Sequence, residues 1–267
     1  MVHGVDAVEV GGLRIAYQRE GHGPPLLLLH GFVGDSVGTW TDQLDTLSDA
    51  FTVIAWDAPG AGRSSAAPTS FGLSDYADCL SGFVSALGLT DPHMAGLSFG
   101  GAMALALFRR RRALPKTLIL AGASAGWTGS FPPLFVQQRL RAILDTSMLP
   151  AAEFAAALTP SMFSSEAPPD RVAAFAANLV EFHPEGFRVM ATALAEADLR
   201  DVLPHVEVPT LLLYGDRDVR APLEVAEALR AAIPGSRLIV LPGVGHVSPV
   251  EAPDRFNAEV RTFLAQR

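Results

Sequence analysis

The chain has 267 residues, of which 49% are hydrophobic and 18% charged, and its 20 basic against 28 acidic side chains leave a net charge of −8. That composition excludes a polar, disordered chain and predicts a single large folded α/β unit. The acidic balance works against unassisted binding to nucleic acid or an anionic membrane, so a small molecule is the expected partner; the oligomeric state is left open. Cys79 is the only cysteine, which excludes an intrachain disulfide and a cysteine-rich zinc site. Met1 to Gly12 lacks a basic segment followed by an apolar run, and no stretch approaches the roughly 20 apolar residues of a membrane helix. A cytoplasmic protein is therefore expected.

In chain order, Val8–Val10 and Leu13–Gln18 flank Gly11-Gly12, which predicts an opening antiparallel hairpin. Short, almost purely apolar runs follow at Leu26–Leu29, Thr52–Trp56, His93–Ala95, Thr117–Ala121, Thr210–Tyr214 and Arg237–Leu241. Runs without polar alternation suit strands covered on both faces. Helical spacing lies between them at Leu73–Leu87, Gly100–Phe108, Pro222–Ile233 and Pro253–Leu264. The alternation predicts a doubly wound, mostly parallel α/β sheet. From Gly126 to Pro204 no strand is expected, only apolar helical pieces broken by prolines. Residues 1–125 and 205–267 are thus read as the core, and 126–204 as a helical insertion.

Gly96-Leu97-Ser98-Phe99-Gly100-Gly101 matches G-x-S-x-G at the end of a strand and the start of a helix. A serine on so sharp a turn presents its hydroxyl above the sheet edge. The flanking glycines are expected because a β-carbon there would crowd neighbouring strands. The helix beginning at this turn aims the positive end of its dipole at the same place.

Serine is a weak nucleophile at neutral pH, so the pattern calls for a histidine to take its proton and a carboxylate to orient that histidine. Of seven histidines, His246 is best placed, in the glycine-rich Pro242–His246 loop after a strand. His3, His22, His93, His183 and His205 read as turn, surface or incidental residues. Asp216 and Asp218 both follow Tyr214-Gly215; Asp218 is preferred as the acid because it lies further into the loop, and Asp216 is expected to cap the turn. The order Ser98, Asp218, His246 is that expected for such a sheet. The cations Arg109–Arg112 are expected at the carboxyl end of the helix after Ser98, where they offset its dipole.

Together with His30-Gly31-Phe32 after the first buried strand and Asp57-Ala58-Pro59-Gly60-Ala61-Gly62-Arg63-Ser64 after the second, these residues make nearly the whole chain resemble the α/β-hydrolase superfamily. The resemblance implies a Ser98–His246–Asp218 triad, an oxyanion hole formed by the main-chain N–H groups of Phe32 and Phe99, and a cap domain over 126–204. It implies no cofactor and no metal, and no metal-ligand or dinucleotide motif is present.

The expected reaction is acyl transfer to Ser98, with carboxylic esters first and enol-lactones or the carbon–carbon bonds of diketones behind. His183-Pro184-Glu185-Gly186-Phe187 and Asp198-Leu199 loosely resemble enol-lactone hydrolases. Cofactor-free haloperoxidase or perhydrolase chemistry uses the same triad, and a ligand-binding relative without turnover is the rival from another class. Epoxide hydrolases and haloalkane dehalogenases of this fold use an aspartate where this chain has Ser98. Phe131, Phe135, Met148, Phe154, Met162, Phe163, Phe175, Phe182, Phe187 and Met190 give the insertion its apolar bulk. More than half of them are expected to pack it rather than line a pocket.

Overall fold

The computed structural model describes residues 4–179 and 183–267. Strands with no polar face must be covered on both sides, and five here are of that kind: β3 (Pro25–Leu29), β4 (Thr52–Trp56), β5 (His93–Leu97), β6 (Thr117–Ala121) and β7 (Thr210–Gly215), taken after the hairpin β1 (Asp6–Val10) and β2 (Leu13–Glu20). Nearly every residue in the five is buried. With β8 (Arg237–Leu241) they pair in parallel, and β2 joins β4 antiparallel, giving one eight-stranded sheet in the order β1-β2-β4-β3-β5-β6-β7-β8. The hairpin turns at Gly11 and Gly12, whose φ angles of 58° and 82° suit a two-residue loop between twisted strands.

The helices are α1 (Ser36–Leu47), α2 (Leu73–Ala86), α3 (Phe99–Arg110), α4 (Pro133–Thr146), α5 (Ala151–Leu158), α6 (Pro169–Leu179), α7 (Pro184–Glu196), α8 (Leu223–Ala232), α9 (Ser248–Glu251) and α10 (Pro253–Leu264). They cover both sides of the sheet, and the protein has the doubly wound architecture expected from the strand–helix alternation. Helices α4 to α7 all fall between β6 and β7, and among the described residues that interval contains no strand. Phe182 and His3 lie outside the described residues.

Helix α1 carries no expectation from sequence, yet its signals are ordinary. Asp35 caps it by accepting from the Gly38 N–H at 2.7 Å, and Trp40, Leu44 and Leu47 supply a fully buried stripe at helical spacing. Truncating Leu44 to alanine there would cost about 2–5 kcal/mol of stability. At the end of α3, Arg109 and Arg110 occupy the last turn. Arg110 forms a two-pronged ion pair with Asp78, and Arg109 meets Asp201, so this basic run is tied into the protein's own acidic surface.

Strand order decides where the chemistry can sit. β3 has β4 on one side and β5 on the other, so the chain reverses its direction of travel there and a crevice opens beyond the carboxyl ends of these strands.

Candidate active site

Ser98 follows β5 directly and precedes α3. Its φ of 53° and ψ of −110° place a non-glycine residue in a region that side chains normally avoid, a strain of order 1–3 kcal/mol that persists only where the surroundings enforce it. Here they do. The Ser98 N–H donates to the Ala121 carbonyl of β6 at 2.8 Å, and a β-carbon on Gly100 would lie 2.1 Å from the Leu29 carbonyl oxygen of β3. Gly96 is required for a different reason from the one expected. Its β-carbon would strike the backbone of Gly100 and Gly101, the first turn of α3, rather than a neighbouring strand. From Pro92 to Phe108 every residue is buried except Ser98, which is half-buried.

The other groups hang from the next strands along the same edge. Past the end of β7, Asp218 is buried and fully engaged: Oδ1 accepts from the Arg220 and Ala221 N–H groups at 2.8 and 2.9 Å, and Oδ2 faces His246 Nδ1 at 2.8 Å. With Nδ1–H donated to the carboxylate, the other ring nitrogen, Nε2, is the basic one. Asp216 lies elsewhere and accepts from the Gly243 N–H at 2.6 Å, closing the turn after β8. Ser98 and His246 line one small cavity, together with Gly31, Phe32, Val33, Leu97, Met162, Arg220 and Val247.

The main-chain N–H groups of Phe32 and Phe99 donate to no protein acceptor among the described residues. Phe99 opens α3, where the first turn of a helix leaves its N–H groups unpaired. The loop carrying Phe32 is fixed from beneath. His30 Nδ1 lies 2.6 Å from the Gly31 carbonyl and must donate to it, while Nε2 accepts from the Ala58 N–H at 2.9 Å. Those two contacts demand a neutral ring. Asp57 accepts from the Ser36 and Arg63 N–H groups at 2.8 and 2.9 Å, tying the loops after β3 and β4 together.

The inserted helices reach the same edge. The Met162 carbonyl accepts from the His246 and Val247 N–H groups at 2.9 and 3.0 Å, so the segment after α5 holds the histidine loop by its backbone. Glu251, buried at the end of α9, accepts from the Gly245 and Ser164 N–H groups and so joins that loop to the insertion. A second cavity lies beyond Phe32 and is walled by Phe154, Phe187 and Met190 from the insertion. Of the apolar residues singled out there, Met162 lines the small cavity and these three the larger one. Phe163 packs on Phe175, and Phe131 on Phe135. Met148 is exposed.

Two residues at the site, Gly122 and Arg220, have no signal in the sequence. Gly122, just after β6, has a φ of 49°, and a β-carbon there would lie 3.0 Å from His246 Nδ1 and 3.1 Å from Asp218 Oδ2. It makes room for the His–Asp pair. Arg220 carries no motif. His93, read as incidental, is buried in β5 against the Thr117 hydroxyl at 2.9 Å. Burial, assisted by the Lys116 charge, lowers its pKa from 6.5 to about 4.

A family model described as alpha/beta hydrolase fold matches residues 24–253, and the chain belongs to that family. A protein of Cronobacter turicensis provisionally named carbamate hydrolase RutD is 30% identical over 250 residues, covering 91% of this chain and 92% of its own. Among solved structures, a thermophilic esterase of Thermogutta terrifontis with malate bound matches with a TM-score of 0.89 and 29% identity, covering 98% of each chain. The enol-lactonase of Burkholderia xenovorans LB400 matches with a TM-score of 0.88 and 25% identity, covering 97% of this chain and 100% of that one. Family and relatives together support a hydrolase.

Proposed function

We propose that this protein cleaves a carboxylic ester, or a closely related acyl bond, of a small and partly apolar molecule through an acyl-enzyme on Ser98. The observation that carries this reading is the strained turn at Ser98 opening on the same cavity as a His246 whose Nδ1–H is committed to Asp218. His246 Nε2 accepts the serine proton as the oxygen attacks the acyl carbon, and Asp218 stabilises the imidazolium that results. The oxyanion is held by the Phe32 and Phe99 N–H groups, a type of contact whose loss costs about 100- to 1,000-fold in rate. His246 then returns the proton to the leaving alkoxide. Water, activated by the same nitrogen, attacks the acyl-enzyme carbonyl and releases the acid and the free serine.

Helices α4 to α7, within residues 126–204, serve as a cap. Met162 bounds the reacting end, and Phe154, Phe187 and Met190 offer an apolar recess for the rest of the substrate. Cleavage of a lactone is the second reading, favoured by the likeness to the enol-lactonase over the full length of that chain; it runs through the same groups with the leaving alkoxide tethered to the acyl part. The test is hydrolysis of p-nitrophenyl butyrate beside an enol-lactone. Turnover that falls about 10⁴-fold or more in Ser98→Ala is the expected result. Undiminished turnover in that variant would remove the mechanism.

A further inference from the structure

The cavity at Ser98 contains a cation that the acyl-transfer scheme does not use. Arg220 stands two residues beyond Asp218 and lines this cavity with Ser98 and His246. Its guanidinium carbon lies 5.5 Å from the centre of the Phe32 ring, and Nη1 donates to the Ser161 hydroxyl at 3.0 Å. Nη2 is shut off from solvent and donates to nothing among the described residues. Leaving a charged donor buried and unpaired is costly, so an acceptor brought into this cavity gains a charge-assisted hydrogen bond there.

The surrounding charges do not fill the gap. Both Asp218 oxygens are taken by His246 Nδ1 and the Arg220 and Ala221 N–H groups, so Asp218 offsets the charge of Arg220 without bonding its head. Arg139, on α4, adds a second cation: it donates to the Arg220 carbonyl at 3.0 Å, and its guanidinium carbon lies 4.3 Å from the centre of the Trp127 ring. The other buried carboxylates at this edge are spent elsewhere, Glu251 on Ser164 and Gly245 and Asp57 on the Ser36 and Arg63 N–H groups. Burial lowers Arg220 to about 10, partly offset by Asp218, and burial with the Arg220 charge lowers Arg139 to about 9. Both stay charged at neutral pH, so two guanidinium groups face one carboxylate.

Resting on the acyl-hydrolase reading, we propose that Arg220 is a specificity-determining residue whose Nη2 binds a carboxylate carried by the substrate, making the preferred substrate an anionic ester or lactone. The chemical class is a half-ester of a short dicarboxylic acid, or its cyclic equivalent. One carboxyl is the reacting acyl group at Ser98, and the other is directed at the guanidinium, which lines the same cavity. Phe32 and Met162 pack the carbon chain between them.

The test compares mono-p-nitrophenyl glutarate with p-nitrophenyl pentanoate, which replaces the free carboxylate by a methyl group at similar length. The wild-type protein is expected to favour the glutarate half-ester by about 10- to 100-fold in kcat/KM, the range for a charge-assisted hydrogen bond in a shielded site. Arg220→Met is expected to abolish that ratio, and Arg220→Lys to restore part of it. Ser161→Ala, which removes the Nη1 partner but not the cation, is expected to keep it; a purely structural role for Arg220 would make Ser161→Ala and Arg220→Met lower the ratio alike. A wild-type ratio near one, or a ratio untouched by Arg220→Met, overturns the proposal.

Calorimetric binding of glutarate to Ser98→Ala separates this inference from the hydrolase reading. Binding that disappears in Ser98→Ala/Arg220→Met supports the anion site even if neither ester turns over. Absence of binding to Ser98→Ala overturns it even if neutral esters are cleaved.

Discussion

The strand edge and the inserted helices contribute to one site by different means. Along the edge, Ser98, Asp218 and His246 are set by backbone: a strained turn, three hydrogen bonds to one carboxylate, and glycines where any β-carbon would collide. The insertion contributes side chains, the Phe154, Phe187 and Met190 wall and the Ser161 hydroxyl, with the Met162 carbonyl as its main backbone contact. Backbone placement tolerates almost no variation in residue or conformation, whereas an apolar wall accepts many sequences of similar bulk. On the proposed reading, the edge sets the reaction type and the charge recognised in the substrate, and the insertion shapes the apolar recess.

The largest expected effect breaks the edge. Asp218→Asn removes the carboxylate that orients His246 and should lower kcat by about 10⁴-fold. Asp216→Asn, two residues away, disturbs only the turn at Gly243. It should cost about 1 kcal/mol of stability and leave turnover within the same order of magnitude. Comparable losses in the two variants would show that the carboxylates are not divided in this way.

Gly122→Ala probes the same edge without touching an ionisable group. The added methyl must adopt a φ of 49° and press on His246 Nδ1 at 3.0 Å. A strain cost of about 1–2 kcal/mol is expected, read as a lower thermal midpoint, together with a fall in kcat that exceeds any change in KM. An unchanged kcat would mean that the His–Asp pair has slack.

An effect on stability alone, with no change in turnover, lies at the far end of β5, away from both regions. His93 is held neutral in the fold, its pKa lowered from 6.5 to about 4. Below pH 6.5 the unfolded chain takes up a proton that the native protein refuses, so stability falls as the pH drops from 6.5 through 4 and is unaffected above that window. His93→Gln should flatten this part of the profile in thermal melts at pH 7 and pH 4.5. Equal slopes for the two proteins would count against burial as the cause.

The same division explains what could be read before any coordinates. The parallel strands and the hairpin were legible because apolar runs without alternation and a Gly-Gly turn each have one structural solution. The elbow is legible because only glycine fits two residues to either side of Ser98. Helix α1 is harder to read, although Asp35 and the Trp40, Leu44, Leu47 spacing mark it, since its first turn runs on directly from the glycine-rich loop after β3. Gly122 and Arg220 were not legible: one is required by side chains that approach from β7 and β8, and the other is set apart from other surface-loop arginines only by what surrounds it. The burial of His93 follows from its place in the β5 run, whereas its contacts with Thr117 and Phe51 are set by the fold.

The most direct test is to treat the protein with a serine-directed p-nitrophenyl phosphonate, digest it, and locate the adduct by mass spectrometry. A single phosphonylated residue at Ser98, absent in Ser98→Ala and slowed in Asp218→Asn, is the expected result. An adduct on any other residue, with Ser98 unmodified while esterase activity is lost, would contradict the assignment of the nucleophile.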